Sequence, residues 1–354
     1  MKTQTITIHP RYPELDKIAH CARIIRQGGL VVFPTETVYG VAADFSNPKA
    51  VERLRTIKKR SADKPFSILI SKKEAVDDMA QELDRLVYKF IDEFWPGPLT
   101  VVVPSKDKAK TIGVRMPNNT VALSLIKETQ CPVAAPSANF ENNHPPITCQ
   151  EALRDLNGLV EAAIDGGAAS IGRESSVIDF TQSPPKILRE GPVTQNDIDR
   201  LSKLKIVLFV CTGNSCRSVM AEYLLKKLLG LRNDVKVISG GTGVYISMGA
   251  SAETVEVLRR EGIDASVHQS QPIARTMLKK ADLVLVMTQM HRQQIVEKVP
   301  SIENRVYLLR EFANIPRRFG SDLDIPDPIG KPAQAYEECL WMIKEAIGKI
   351  VELI

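Results

Sequence analysis

The chain has 354 residues, enough for two domains each with a core of its own. Apolar residues make up 44% and charged residues 25%, which excludes a disordered or low-complexity chain. The formal net charge of +5 is spread thinly and no Lys/Arg-rich run occurs, so composition by itself gives no case for a nucleic-acid-binding tail. Six cysteines without a Cys-x2-Cys pair exclude a disulfide framework and the usual zinc spacings, and no metal site is expected. The N-terminus is polar and no apolar run approaches the roughly 18 residues of a membrane helix, so neither a signal core nor a membrane partner is expected. A reducing cytoplasm is the natural setting.

Residues 13–27 read as a helix ended by Gly28 and Gly29, followed by a buried strand, Leu30-Val31-Val32-Phe33, stopped at Pro34. Helical spacing returns near 48–59. Further strands are predicted at 66–70, 99–103, 132–135, 161–165, 176–180 and 186–189, interrupted by turn signals such as Trp95-Pro96-Gly97-Pro98. This predicts a mixed α/β domain over 1–195, then a polar linker over 196–204. From Lys205 strands at 205–210, 235–239, 282–287 and 305–309 alternate with helices near 218–229, 250–262, 289–298 and 333–353. Strand then helix, four times over, predicts a doubly wound, four-stranded parallel sheet over 205–354.

The sharpest local signal is Val207-Leu208-Phe209-Val210-Cys211-Thr212-Gly213-Asn214-Ser215-Cys216-Arg217-Ser218: a buried strand, a short polar loop, then a helix. The loop is a Cys-x5-Arg element. Consecutive backbone N–H groups at a helix start suit a phosphate dianion, and Arg217 can grip two of its oxygens. The same field suits a sulfur anion, which would make Cys211 a nucleophile with Ser218 as a hydrogen-bond donor to it. A leaving group needs an acid; Asp322, Asp324 and Asp327 crowd the Pro-rich loop before the last helix, and each reads equally well as a solvated charge.

The loop and Asp327-Pro328 together resemble the low-molecular-weight protein tyrosine phosphatases and the related protein arginine phosphatases, as do Ser239-Gly240-Gly241-Thr242 and Val267-His268-Gln269-Ser270. The resemblance implies Cys211 as nucleophile, Arg217 as transition-state ligand and Asp327 as general acid. Thr212, Gly213, Asn214, Ser215, Cys216 and Ser218 complete the phosphate loop, a phosphocysteine is the intermediate, and His268 is structural. Val219 stands where the family has Pro. Ser215 replaces a bulky apolar residue or a threonine, and no aromatic follows Asp327-Pro328. These departures lean towards phosphoarginine or a small phosphoester over phosphotyrosine. Cys216 is either a packing residue or a reversible disulfide partner of Cys211.

The first half has no Walker A loop; in Gly167-Ala168-Ala169-Ser170-Ile171-Gly172-Arg173-Glu174, Arg and Glu replace the required Lys and Ser/Thr. Its polar segments are scattered. Pro34-Thr35-Glu36-Thr37-Val38-Tyr39-Gly40 and Val114-Arg115-Met116-Pro117 sit at strand ends, and Lys58-Lys59-Arg60-Ser61-Ala62-Asp63-Lys64-Pro65 follows a helix. Pro136-Ser137-Ala138-Asn139, Ser175-Ser176 and Leu188-Arg189-Glu190-Gly191 flank other strands. Each alone reads as a turn, a cap or a solvated charge; together they amount to a basic-lined polar site for an anion.

In number and order these segments, with Trp95-Pro96-Gly97-Pro98-Leu99-Thr100, resemble the YrdC-type threonylcarbamoyl-AMP synthases across about residues 8–195. The resemblance implies a concave twisted sheet and an enzyme that condenses L-threonine, bicarbonate and ATP to threonylcarbamoyl-AMP and pyrophosphate. Mg2+ would accompany the nucleotide. The product would pass to the transferase machinery that modifies adenosine in tRNA. It assigns Lys58, Arg60, Lys64, Thr111, Asn139 and Arg189 to ATP. It assigns Thr37, Arg115, Ser137 and Ser175 to threonine, with Arg115 on the amino-acid carboxylate. Phe140-Glu141-Asn142-Asn143 departs from the family pattern and leaves Thr148 without a clear ATP role. The phosphatase reading implies a phosphoprotein substrate, and weak RNA binding by the first half is a further candidate partnership. The competing expectation is a first half that binds RNA through a basic face without catalysis, beside a second half that only senses phosphate.

Overall fold

A computed structural model describes residues 2–59, 65–106, 110–315 and 323–354. The chain forms two compact units, Met1–Asp199 and Arg200–Ile354. The polar stretch expected as a linker is helical, Gln195–Lys203, with Ile198 and Leu201 buried three residues apart on one side.

The first unit is built on β1 (Gln4–Thr7), β2 (Val31–Phe33), β3 (Gly40–Asp44), β4 (Ser67–Leu69), β5 (Leu99–Pro104), β6 (Thr111–Arg115), β7 (Val133–Ala134), β8 (Ala162–Asp165), β9 (Ser176–Asp179) and β10 (Lys186–Arg189). They join in one mixed sheet, in the order β1-β8-β2-β3-β7-β4-β6-β5-β9-β10. Helices cover both faces. Val31 and Phe33 of β2 pack with Ile18, Cys21 and Ile25 of the helix Leu15–Arg26. Leu30 and Val32 face the other way, towards Leu54 of the helix Pro48–Lys58 and Leu156 of Cys149–Leu156. That is why the run reads as continuously apolar rather than alternating.

The second unit carries β11 (Lys205–Cys211), β12 (Val235–Gly241), β13 (Leu283–Val286) and β14 (Val306–Leu308), all parallel in the order β12-β11-β13-β14. Val207, Phe209 and Cys211 face a core shared with the helices Arg217–Leu229 and Ala333–Ile350. Ile206, Leu208 and Val210 face a second core with Leu278 and Ile295. The chain leaves β11 for β12 on one side and reaches β13 on the other, so the carboxyl end of β11 sits where strand order reverses, the usual ligand crevice of such sheets.

Candidate active sites

In the first unit, one cavity is lined by Thr35, Thr37, Arg115, Ser137, Glu174, Ser175 and Arg189 among others, and a second by Lys58, Ser137, Asn139, Asn143 and Glu174. Ser137 and Glu174 line both. The loop between β2 and β3 lies against the loop after β7: Val41 N donates to Pro136 O at 3.0 Å and Ala138 N to Tyr39 O at 2.8 Å. Gly40 permits this approach, since a Cβ there would stand 3.1 Å from the Phe33 ring and 3.3 Å from Pro136 O. Thr35 Oγ1 donates to Val38 O at 2.6 Å and lies 2.9 Å from Thr37 Oγ1, which ties the loop internally.

Arg115, at the end of β6, is 7% exposed. Its Nη2 donates to Glu36 Oε1 and to Thr37 Oγ1, both at 2.8 Å, and its Nε donates to Gly97 O at 3.2 Å. This Glu36 partner was invisible in the sequence, and it already holds one side of the guanidinium expected to meet an amino-acid carboxylate. Glu36 is 5% exposed and its Oε2 is buried without a partner among the described residues. Arg189 donates from Nη2 to Ser175 Oγ and from Nε to Ser175 O, both at 3.0 Å, and from Nη1 to Glu174 at 2.6 Å. Ser175 Oγ also lies 3.0 Å from Thr100 Oγ1. Burial lowers the Arg189 pKa from its usual value, Glu174 opposes this, and the charge of Arg115 adds to the lowering. Two arginines thus line one cavity, each paired with a carboxylate.

The helix Pro48–Lys58 starts on the Asn47 side chain, which accepts from Lys49 N and Ala50 N, and ends at Lys59 with φ +51°. Its last residue, Lys58, is buried and donates to Ser137 O at 2.7 Å, to Asn139 Oδ1 at 3.1 Å and to Asn139 O. Thr148 caps the helix Cys149–Leu156 by accepting from Glu151 N at 3.2 Å. Thr111 is exposed at the opposite end of β6 from Arg115, about 13 Å of strand away, and lines neither cavity. Arg60 and Lys64 lie outside the described residues.

In the second unit, Cys211 ends β11 and Arg217 opens the next helix. Asn214, at φ +51°, turns the loop so that its backbone N–H donates to Cys211 Sγ at 3.3 Å. Ser218 Oγ is 3.0 Å from the same sulfur and accepts from Asn214 Nδ2 at 3.0 Å, which leaves its own proton for the sulfur. Asn214 also donates to Ser239 Oγ at 2.7 Å, Ser239 donates to Glu222, and His268 Nε2 lies 2.9 Å from Asn214 O. Gly241 lets β12 pass behind the loop: a Cβ there would lie 2.4 Å from Thr212 O and 3.0 Å from Asn214 N. Cys216 is a buried free thiol, as is Cys211, and its Sγ lies 3.6 Å from Ser215 Oγ.

Arg217 donates from Nη1 to Ile325 O at 3.1 Å and from Nη2 to Asp327, while its Nε is buried without a partner among the described residues. Of the three acids near this loop, Asp327 meets the arginine, Asp324 accepts from Gln289 N at 2.8 Å, and Asp322 lies outside the described residues. Sequence reasoning missed His291. It is fully buried, with Nε2 2.9 Å from Thr212 Oγ1 and Nδ1 2.8 Å from Thr288 Oγ1. Its only sequence signal is its place in the first turn of a helix that follows a buried strand.

The Sua5_yciO_yrdC family model, described as "Telomere recombination", matches residues 23–191, and the low molecular weight phosphotyrosine protein phosphatase model matches residues 206–354. The threonylcarbamoyl-AMP synthase of Pyrococcus abyssi is 39% identical over 207 residues, 56% of this chain and 61% of that protein. The chain thus spans about three fifths of that relative. The solved structure of P. abyssi Sua5 complexed with L-threonine aligns with a TM-score of 0.54 at 26% identity, covering 86% of this chain and 99% of that one. A Ralstonia nicotianae protein named "Probable low molecular weight protein-tyrosine-phosphatase EpsP" is 37% identical over 151 residues, 43% of this chain and 97% of its own length. The chain therefore belongs to the Sua5/YciO/YrdC family through residues 23–191 and to the low molecular weight protein tyrosine phosphatase family through residues 206–354.

Proposed function

We propose that the chain is a bifunctional enzyme, an L-threonylcarbamoyladenylate synthase followed by a protein phosphatase. In the first reaction threonine and bicarbonate give a carbamate and water. A carbamate oxygen then bonds to the α-phosphorus of ATP, the bond to the β-phosphate breaks, and pyrophosphate leaves. Lys58, Asn139 and Arg189 would hold the nucleotide, and Thr37, Arg115, Ser137 and Ser175 the amino acid, so that the reacting atoms meet in line. Arg60, Lys64 and Thr111 stay in the proposal on family resemblance alone. No cluster of three or more His, Cys, Asp or Glu exists among the described residues. Mg2+, which neutralises triphosphate charge, would therefore be held by the phosphates and water. The observation that carries this reading is the convergence of five expected residues, Thr37, Arg115, Ser137, Ser175 and Arg189, on one cavity. The product would serve the modification of tRNA. The full chain should release pyrophosphate only with threonine present, and Arg189→Ala should abolish this; threonine-independent release would sink the proposal.

In the second reaction the Cys211 sulfur bonds to phosphorus as the leaving group departs with a proton from Asp327. Water then attacks the phosphocysteine, returns a proton to Asp327 and frees inorganic phosphate. The unpartnered Nε of Arg217 beside the loop carries this reading, since a bound phosphoryl oxygen would satisfy it. Cys211→Ser should bind phosphate yet leave p-nitrophenyl phosphate intact; a phosphate sensor would instead show no turnover in either protein. Ser215 and the lack of an aromatic after Pro328 favour phosphoarginine on a protein. Exposed Tyr245, two residues beyond Gly243, which donates to Thr212 O at 3.0 Å, is a feature among the described residues that favours phosphotyrosine. Paired phosphoarginine and phosphotyrosine peptides decide between them. No helix among the described residues is long and apolar enough to cross a membrane, and the proposed substrates are those of the cytoplasm.

A further inference from the structure

Thr212 follows the nucleophile and is exposed at the mouth of the phosphate loop, whereas His291, its partner, is wholly buried. One tautomer of the ring satisfies every hydrogen bond around it. Thr288 Oγ1 accepts from His291 N at 3.3 Å, which leaves its hydroxyl proton to go to His291 Nδ1 at 2.8 Å. Nδ1 is then an acceptor, so the ring's single proton sits on Nε2 and is donated to Thr212 Oγ1 at 2.9 Å. In the reverse tautomer the Thr288 hydroxyl proton would have to turn from the ring to solvent. With the ring donating to its oxygen, the Thr212 hydroxyl proton has no partner among the described residues and is free to meet an oxygen held in the loop. A second ring proton is opposed by burial and by the charge of Arg217, with Asp327 acting the other way, so the ring stays neutral.

We propose that His291 is a positioning residue: it holds the Thr212 side chain so that its hydroxyl donates to a phosphoryl oxygen bound in the Cys211–Arg217 loop. The inference rests on the phosphatase reading and adds to it a donor supplied by a side chain to those of the main chain. One neutral hydrogen bond of this kind corresponds to roughly a five- to tenfold effect on kcat/KM. Because His291 acts through Thr212, the two residues form one unit, and their substitutions should not add.

The test is a double-mutant cycle on the full chain, with p-nitrophenyl phosphate as substrate. His291→Phe and Thr212→Val should each lower kcat/KM about five- to tenfold, and the double variant should fall no further than the worse single. His291→Gln, whose amide can still donate to Thr212, should recover most of the loss. Losses that multiply in the double variant, or Thr212→Val at wild-type rate, would overturn the inference. If His291→Phe does not fold, Thr212→Ser against Thr212→Val decides: Ser near wild type with Val reduced supports it, equal rates refute it. If wild type itself does not turn over, the phosphatase reading falls. Inorganic phosphate binding then decides: weaker in Thr212→Val supports the held donor, equal binding removes it.

Discussion

Glu36→Ala tests whether the ion pair beneath the first cavity is structural. Arg115 and Glu36 are both nearly solvent-free, and removing one partner of a buried pair costs about 3–5 kcal/mol because a charge is left alone. Two facts lower that figure. Arg115 keeps its bonds to Thr37 and Gly97, and Glu36 itself gives up an unpartnered Oε2. A net loss of about 2–3 kcal/mol follows, or roughly 4–12 °C in melting temperature for a unit of this size. Thermal unfolding of the full chain reads it, with p-nitrophenyl phosphate turnover of the second unit as an internal reference. Glu36→Ala combined with Arg115→Met should recover part of the stability, because no lone charge then remains. A melting temperature unmoved by Glu36→Ala, or a double variant worse than the sum of both singles, would refute the argument.

Gly191→Ala should remove synthase activity and lower the first unit's stability. A Cβ there would fall 2.3 Å from Ser176 N, pushing Arg189 off Ser175; unchanged pyrophosphate release would show that the strand ends can separate freely. Asp327→Asn should lower kcat for p-nitrophenyl phosphate by about 10²-fold or more, as expected for a lost general acid. An unchanged kcat would return Asp327 to the role of a loop charge. His291 stays neutral in the folded protein to about pH 4, held down mainly by burial, while the unfolded chain takes up the proton near its ordinary value of 6.5. The second unit should therefore lose stability as pH falls through that window, by about 1–3 kcal/mol. His291→Gln should flatten this slope, and identical slopes for both proteins would contradict it.

The phosphate loop was legible because its parts are contiguous. Cys211, the turn at Asn214 and Arg217 lie within seven residues, and the strand before them and helix after them follow from apolar spacing. The doubly wound sheet was legible for the same reason: each strand is mostly apolar, from seven residues in β11 and β12 down to three in β14, and a helix follows it. The first unit yielded less. β1 and β3 were not predicted, and of β6 only its end at Arg115 was read; β1 alternates weakly and β3 is a short Gly- and Ala-rich run whose place depends on β2 and β7. Arg115 and Ser137 could be named from motif resemblance, but the Glu36 partner is 79 residues away and no local pattern announces it. The stretch 196–204 read as a linker for its polarity, although Ile198 and Leu201 carry a helical spacing. His291 was hidden because one histidine on a helix looks like any other until the strand before it brings the ring to Thr212.

The most direct test of the account is the nucleotide made by the full chain from ATP and bicarbonate, with and without L-threonine, followed by mass spectrometry. The account predicts threonylcarbamoyl-AMP in amounts equal to the pyrophosphate released, and neither without threonine. AMP or ADP formed at the same rate whether or not threonine is present would contradict it.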